Sequence, residues 1–304
     1  MILVTGATGF IGSEIVRRAS RRGWQVRGLS RHPERHEALR ALPHVELVEG
    51  DVADPGSLEG PMEGVGAVIH LVGIIAETKR QSFEEAHVDG TENVLDAARR
   101  EGVGRFVHMS ALGAEEGRGA TEYFRTKWEA EEAVRGSGLD HVIFRPSIVF
   151  GPGEDFTGKL APLIRFSPVL ALPGGGAQRL QPVWVGDVAD CFLQAARAER
   201  LSSDLHQVAG PEVMTLARMT RILARAMGKR PRPVVPLPVS VARLGAAAIE
   251  ALPVPPLLTR AQLTMLELES VADPGAVVAL LEEFEIEHAS LAEKAPEWLG
   301  KERR

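Results

Sequence analysis

The amino terminus combines a short apolar run, three regularly spaced glycines and an amphipathic segment. Residues 2–4 are apolar and mostly β-branched, as expected of a buried parallel strand. Gly6, Gly9 and Gly12 follow at a spacing of three. Apolar residues then recur at helical spacing up to Gly23, at Ile11, Ile15, Val16 and Ala19. The pattern predicts a strand, a glycine turn and a helix.

The same alternation of apolar runs and amphipathic segments continues along the first half of the chain. It predicts strands at residues 26–29, 45–48, 65–72, 106–109 and 139–144, and helices at residues 83–100 and 121–134. Several strands are apolar on both faces, which is typical of a sheet covered by helices on each side. We therefore expect an α/β fold, a Rossmann-like doubly wound parallel sheet.

The pattern changes after about residue 150, where glycine and proline become frequent and mark a loop-rich region. Apolar spacing predicts a helix at residues 187–197, a short strand at 206–208 in position to rejoin the sheet, and an amphipathic helix at 215–227. We expect a dinucleotide-binding domain at residues 1–150, rejoined by residues 178–208. Residues 151–177 and 209–304 would then form a smaller, mostly helical C-terminal substrate-binding lobe.

Composition excludes several classes of protein. The 304 residues are 44% hydrophobic and 25% charged, which is ordinary for a globular protein. A net charge of −6 gives no support for nucleic acid as a bulk partner. The single cysteine, Cys191, excludes an internal disulfide and lies in an apolar run, where we expect it to pack in the core. With no signal peptide before the first strand, we expect a cytoplasmic protein.

No stretch of the sequence predicts an integral membrane segment. The most apolar run, at residues 65–76, is too short to span a bilayer. Residues 237–258 are apolar but contain Arg243, Glu250 and several prolines. Two interpretations of this stretch stay open, a core helix of the small lobe and a docking surface.

The glycine turn has the features of a pyrophosphate site. Gly6 allows a sharp turn, Gly9 a close backbone approach, and Gly12 close packing of the helix. The helix N-terminus directs free N–H groups and a partial positive charge towards the turn, which also contains Thr8, Phe10 and Ile11.

The second strand ends at Ser30 and Arg31, with no acidic residue at its tip. An acid there would bind the ribose 2′-hydroxyl of NAD, whereas an arginine suits the 2′-phosphate of NADP. The tip therefore favours NADP(H), with NAD as the alternative. The competing interpretation is that Arg31 is a solvated loop residue.

Tyr123, the only tyrosine, and Lys127 are four residues apart on a predicted helix and so share a face. A lysine at this offset would occur by chance in roughly 2% of cases. We expect the ammonium group to lower the pKa of the phenol towards neutrality, so that Tyr123 exchanges a proton. Ser110, at the end of the preceding strand, would hydrogen-bond a substrate carbonyl. No residue is assigned to a metal.

These motifs together resemble an extended or atypical short-chain dehydrogenase/reductase, a family that includes NAD-dependent epimerases and dehydratases. The matching segments fall in the family's order, at residues 5–12, 50–52, 71–73, 108–110, 123–127, 144–151 and 183–189. The resemblance implies that Asp51 hydrogen-bonds the adenine, that Val52 beside it belongs to the cofactor site and that Pro146 lies near the nicotinamide. It also implies a cofactor-lining role for Leu71, Val72 and Gly73.

Within that family, the chain is most similar to the branch of the NADPH-binding accessory subunit of respiratory complex I and its bacterial relatives. The similarity rests on residues 70–75, 110–114 and 123–132. It implies tight NADPH binding, with or without turnover. Where extended members often have an asparagine, this chain has His87, which is either a structural histidine or a proton shuttle. Ala111 replaces a serine common in sugar-nucleotide enzymes.

Three functions remain in competition. The first is an NAD(P)-dependent oxidoreductase or epimerase that uses Ser110, Tyr123 and Lys127 on a small carbonyl or sugar-nucleotide-like substrate. The second is a non-catalytic NADPH-binding module docked on a larger complex. The third is an enzyme-like membrane-surface protein acting on a lipid or quinone. The sequence leaves open whether the chain forms a homodimer.

Overall fold

The computed structural model describes residues 1–78, 81–115, 121–250 and 260–300. Within them the strands are β1 Ile2–Thr5, β2 Val26–Ser30, β3 Val45–Glu49, β4 Ala67–His70, β5 Arg105–Met109, β6 His141–Pro146, β7 Val149–Phe150, β8 Leu170–Pro173, β9 Arg179–Leu180, β10 Val183–Trp184, β11 Leu205–Val208, β12 Met214–Thr215 and β13 Val234–Leu237. The helices are α1 Phe10–Arg21, α2 Glu37–Arg40, α3 Glu59–Met62, α4 Gly90–Arg100, α5 Glu122–Gly136, α6 Asp155–Phe166, α7 Val185–Ala195, α8 Leu216–Ala226, α9 Val239–Glu250, α10 Arg260–Glu267, α11 Pro274–Phe284 and α12 Leu291–Leu299.

The first of two compact units comprises Met1–Pro146, Val185–Val208 and Asp273–Glu287. Its described strands form one seven-stranded sheet in the order β11-β6-β5-β4-β1-β2-β3, with every pair parallel. This confirms the predicted Rossmann-like doubly wound sheet and the return of the chain to it at β11. Strand order reverses between β1 and β4, so the turn after β1 lies at the switch point where such sheets bind ligands.

Apolar side chains fill both faces of this sheet. On one face Val68, Phe106 and Ile143 pack with Val94 and Leu95 of α4. On the other face Phe144 lies 4.6 Å from Phe192 of α7 and 5.6 Å from Phe284 of α11, measured between ring centroids. That contact places Asp273–Glu287 in the first unit, although the sequence analysis assigned it to the lobe. Cys191 is fully buried, as expected of a packing residue.

The structure corrects the predicted helix at residues 83–100. The segment Glu84–Asp89 is a π-helix, and the regular helix α4 begins at Gly90. Gly90 lies against Val52, where a Cβ atom would come within 2.9 Å of Cγ2 of Val52. Hydrophobic spacing did not reveal the wider turn, because a period averaged over a long segment does not resolve a single π-turn at its start.

The second unit comprises Ser147–Trp184, Ala209–Ala272 and His288–Arg304. Its described part consists mainly of helices α6, α8, α9, α10 and α12, with strands of two to four residues paired two by two. Phe150, Trp184 and Trp298 form an aromatic cluster with centroids 5.5–6.1 Å apart. The predicted mostly helical lobe is confirmed. Of the apolar stretch 237–258, residues 239–250 form α9 and residues 251–258 lie outside the described part.

Candidate functional site

The glycine turn lies between β1 and α1. Gly6 has a φ of +68°, a left-handed conformation that favours glycine. A Cβ atom on Gly12 would lie 2.1 Å from the carbonyl oxygen of Gly6, so a side chain at this position has no space. The N-terminus of α1 has no side-chain cap, which leaves its first N–H groups without an intrahelical partner. The turn therefore offers backbone donors to an anion, as a pyrophosphate site requires.

The predicted adenosine contacts lie at the carboxyl ends of β2 and β3. Arg31 is exposed directly after β2, and Ser30 is buried. Asp51 is half-buried, and its carboxylate accepts from the backbone N–H of Ala53 at 3.1 Å. The carbonyl oxygen of Val52 accepts from the Asn93 amide at 2.9 Å. Strand pairing thus brings these residues to the same sheet edge as the glycine turn.

A cleft of about 510 Å³ lies beside the glycine turn. Thr8 and Ser13 of the turn and α1 line one side, and residues 34–39 line the other. Arg17 of α1 lines the cleft as well. The charged and titratable side chains of the cleft are therefore Arg17, Arg35, His36 and two glutamates. The Arg17 guanidinium donates to the Ser13 hydroxyl at 3.0 Å, a contact that helical spacing alone does not reveal.

The loop after β4 lies against the glycine turn. A Cβ atom on Gly6 would be 3.4 Å from the backbone of Leu71 and Val72. The hydroxyl of Thr5 accepts from the Leu71 N–H at 3.3 Å and contacts Nδ1 of His70 at 2.8 Å. The predicted cofactor-lining residues are therefore assembled at the end of β1 and β4.

His70 is a buried support for this loop. Its Nε2 contacts the Thr91 hydroxyl at 3.1 Å, and that hydroxyl donates to the His87 carbonyl at 2.5 Å. Because Thr91 uses its proton there, the partners assign the Nε2–H tautomer, with Nδ1 accepting from Thr5. Burial, and then the Lys127 charge, lower the pKa of His70 to about 3. His70 is neutral and holds two threonines in place.

Lys127 lies at the centre of the candidate site. Its side chain is buried, and Nζ donates to the carbonyl oxygen of Met109 at 3.0 Å. A Cβ atom on Gly73 would lie 3.0 Å from the same Nζ, so a larger residue at this position would crowd the ammonium. Burial lowers the pKa of Lys127 to about 8, although the negative charge of Glu131 acts to raise it. Helix α5 thus places a cation between the loop after β4 and the end of β5.

Tyr123 lies one turn before Lys127 on α5, as predicted. Its ring makes edge contacts with Phe83, His87 and Phe124, at centroid distances of 5.2–5.8 Å. The expected lowering of its pKa is wrong for this structure, because burial raises the pKa of Tyr123 to about 12. The ammonium of Lys127 is directed to the Met109 carbonyl instead, so it does not stabilise a phenolate.

Ser110 follows β5 and is 2% exposed. Its N–H donates to the Phe144 carbonyl at 2.8 Å, but its hydroxyl has no hydrogen-bond partner within the described residues. A buried hydroxyl without a partner costs about 1–3 kcal/mol. Such a group is expected where a ligand supplies the partner. Pro146 ends the neighbouring strand β6, and its carbonyl accepts from the Leu112 N–H at 2.9 Å.

His87 joins α5 to the loop after β4. Its Nδ1 contacts the Thr126 hydroxyl at 2.8 Å, and its Nε2 accepts from the Ile74 N–H at 3.1 Å. Because Thr126 already donates to the Glu122 carbonyl, Nδ1 carries the proton. Burial, and then the Lys127 charge, lower the pKa of His87 to about 2. Both nitrogens are occupied and the ring stays neutral, which supports a structural histidine over a proton shuttle.

A buried ion-pair network that the sequence analysis missed fixes the C-terminal half of α5. Glu131 is fully buried and accepts from Arg145 of β6 through two bonds of 2.7 Å, and from Arg135 at 2.9 Å. Two-point contact of this kind fixes orientation as well as distance. No sequence signal identified it, because Arg145 lies on a different element and Glu131 resembles an ordinary helix-surface residue.

The comparisons with known proteins agree with this geometry. Residues 6–158 match the NAD(P)H-binding family. The chain belongs to this family. Among its relatives, a ceramide reductase from Caulobacter vibrioides is 32% identical over 236 residues, which are 76% of this chain and 72% of that protein. Subunit 9 of the NADH dehydrogenase [ubiquinone] 1 alpha subcomplex from Arabidopsis thaliana is 31% identical over 80% of this chain, but the match spans only 62% of that subunit.

Solved structures show the same fold. The triphenylmethane reductase of Citrobacter sp., complexed with NADP(H), has a TM-score of 0.77 at 19% identity and covers 98% of this chain and 99% of its own. An Escherichia coli quinone oxidoreductase complexed with NADPH has a TM-score of 0.75 at 19% identity, with 98% and 99% coverage. The glycine turn, the uncapped α1 and the switch-point position fit the dinucleotide that the family binds.

Among the described residues, no group of three or more histidine, cysteine, aspartate or glutamate side chains could hold a metal ion. No helix of the described part is long and apolar enough to cross a bilayer.

Proposed function

We propose that this NAD(P)H-binding protein is an NADP(H)-dependent carbonyl reductase with Ser110, Tyr123 and Lys127 at its reaction centre. One observation carries the proposal. The Ser110 hydroxyl is buried without a hydrogen-bond partner in the described part of the chain. Ser110 directly follows Met109, whose carbonyl accepts from the Lys127 ammonium. This is the arrangement expected where a substrate oxygen completes the hydrogen bonding.

The preference for NADP(H) is part of this proposal. Arg31 lies at the tip of β2, and Arg17 and Arg35 line the cleft beside the glycine turn. The position directly after β2 holds no acid that would select a ribose 2′-hydroxyl. Guanidinium groups suit a 2′-phosphate because they bind it with charge and with paired donors.

The protonation states of the site suit reduction. The bound dinucleotide would supply a hydride to the carbonyl carbon. With its pKa raised to about 12, Tyr123 keeps its proton at neutral pH and can donate it to the carbonyl oxygen. Ser110 would donate a hydrogen bond to the same oxygen. Lys127 uses one N–H for Met109 and has two left for the hydroxyl groups of the cofactor ribose.

We propose a lipid-like carbonyl compound as the substrate class. The similarity to a ceramide reductase supports it, over 72% of that protein's length. Ala111, which is buried, takes the place of the second serine common in sugar-nucleotide enzymes and so disfavours an epimerase.

A non-catalytic NADPH-binding module is the second candidate. One observation favours it, since both ring nitrogens of His87 are hydrogen-bonded within the fold and the ring stays neutral, which supports a structural role for this residue. The similarity to a subunit of NADH dehydrogenase [ubiquinone] agrees with it. In this role the chain would bind NADPH tightly without oxidising it.

The replacement Tyr123→Phe separates the two candidates. NADPH consumption should be measured with long-chain ketones and aldehydes and with sugar nucleotides, and NADPH affinity by fluorescence titration. For a reductase we expect turnover to fall by about 10²–10⁴-fold with unchanged NADPH affinity. Trp128→Phe, on the same helix, is the matched control and should keep activity. An unchanged rate in Tyr123→Phe would refute the assignment, and NADPH binding without turnover of any compound would support the module.

A further inference from the structure

An exposed apolar surface lies on a small strand pair of the second unit. Strands β8 and β13 are parallel, with Ala171 opposite Val235. Ala171 and Val235 are exposed. Val169 and Pro233, which directly precede β8 and β13, are exposed too and lie two residues before Ala171 and Val235. Since side chains alternate across a strand, these residues share one side of the pair. That side is apolar and faces solvent.

Two neighbouring segments extend this surface. Phe166, at the end of α6, is 78% exposed and precedes Val169 by three residues. Helix α9 begins two residues after β13, and its Val241 and Leu244 are three residues apart on one helix face, with Leu244 73% exposed. Chain connectivity keeps Val241 within roughly 15 Å of the end of β13. We call Phe166, Val169, Val235, Val241 and Leu244 the exposed apolar cluster.

The guanidinium group of Arg232 fixes the start of β13 against the end of α6. It donates to the backbone carbonyls of Ile164 and Arg165 at 3.3 and 3.4 Å. These contacts place the backbone next to Phe166 beside the start of β13. An aromatic side chain this exposed projects from the surface and does not line a groove.

The same part of the chain is strongly basic. Residues 213–249 contain no aspartate or glutamate, in a chain of net charge −6. The cations there are Arg218, Arg221, Arg225, Lys229, Arg230, Arg232 and Arg243. Four of them are exposed and make no ion pair within the described part of the chain, namely Arg221, Arg225, Lys229 and Arg230. This charge is therefore available to an external anionic partner.

We propose that the exposed apolar cluster and these four cations dock the second unit on the surface of a bilayer containing anionic lipid. Projecting phenylalanine and leucine side chains enter the boundary between headgroups and acyl chains, while arginine and lysine contact lipid phosphates. An acidic protein would satisfy the charges but leave the projecting apolar side chains in contact with polar groups. The contact is peripheral, because no described helix could span the bilayer.

Fluorescence of a labelled cysteine tests the contact at a single position. Cys191 is the only cysteine and is fully buried, so Leu244→Cys can be labelled specifically with a polarity-sensitive dye. Emission should shift to the blue with vesicles of equal parts phosphatidylcholine and phosphatidylglycerol. Val278→Cys, exposed on α11 of the other unit, is the control and should not shift. No shift at position 244, or equal shifts at both positions, would overturn the proposal.

Sedimentation with the same vesicles tests the two components separately. Removing one lysine or arginine that contacts the membrane should weaken the partitioning of the protein onto vesicles by about fivefold. We therefore expect Lys229→Glu with Arg230→Glu to weaken partitioning at least tenfold. Phe166→Asp with Leu244→Asp should weaken it at least tenfold through lost apolar burial. Arg99→Glu with Arg100→Glu, an exposed pair on α4, carries the same charge change and should have little effect. Melting temperatures verify that each variant folds.

Three outcomes would refute the membrane contact. In the first, the unmodified protein stays in the supernatant with every vesicle. In the second, the α4 charge reversal weakens binding as much as the reversal at 229 and 230. In the third, the protein is retained on polyglutamate beads but not by vesicles, which would indicate that the basic segment binds an acidic protein.

Discussion

The three histidines buried beside the candidate site predict a steep loss of stability in mild acid. Burial lowers the pKa of His70 to about 3 and that of His87 to about 2, and it lowers the pKa of His108 well below its ordinary value. In the unfolded chain each histidine titrates near pH 6.5. Since the folded-state pKa lies below the unfolded-state pKa, this stability is present above pH 6.5 and is lost as pH falls.

The magnitude follows from linkage. Between pH 7 and pH 5 the unfolded chain gains almost one proton at each histidine that the folded chain does not take up, which costs about 2 kcal/mol per residue. His70 and His87 together therefore account for about 4 kcal/mol, and His108 acts in the same direction. For a domain of this size the melting temperature would fall by about 10 °C.

One group in the second unit acts in the opposite direction. Burial raises the pKa of Glu154 to about 7, so the folded chain takes up a proton there between pH 7 and pH 5 and gains about 2 kcal/mol. The melting temperature without cofactor is therefore best measured in a Glu154→Gln background at both pH values.

The variant His108→Leu tests the cause of the acid sensitivity. His108 stacks on His70 at 5.5 Å, and neither of its ring nitrogens has a partner in the described part of the chain. Its replacement should raise the melting temperature and reduce the loss between pH 7 and pH 5. His32→Leu, at an exposed position, should leave that loss unchanged. The reasoning fails if melting is the same at both pH values, or if the two replacements have equal effects.

Three further predictions concern the turn, the ion pair and the cofactor. Gly12→Ala should destabilise the protein and abolish NADPH binding, as measured by calorimetry. Gly60→Ala, with open space around its Cβ position, should do neither. Glu131→Gln should lower the free energy of unfolding by about 3–5 kcal/mol in urea titrations, because it leaves a partly buried guanidinium unpaired. Glu132→Gln, an exposed partner, should cost about 0.5 kcal/mol or less. Arg31→Asp should weaken NADPH binding at least tenfold without weakening NADH binding, and equal effects on both would refute the 2′-phosphate role.

The sequence by itself determined the fold and the order of its parts. Apolar runs at the right spacing specified the strands, because burial on both faces favours apolar side chains at most positions. The glycine turn could be predicted for a steric reason. Glycine is favoured in a left-handed bend, and only glycine lets the helix pack this closely. The positions of Tyr123 and Lys127 on one helix followed from helical periodicity alone.

Tertiary structure decided the electrostatics of the site. The Lys127 ammonium donates to the Met109 carbonyl at the end of β5, which is distant in sequence, and burial raises the pKa of the Tyr123 phenol to about 12. His87 likewise binds the Ile74 N–H of a distant loop, and Glu131 binds Arg145 of a different element, so local sequence could not assign their roles. Local patterns predict which apolar residues are buried, but the burial and the energy of a polar group depend on which distant atoms it meets.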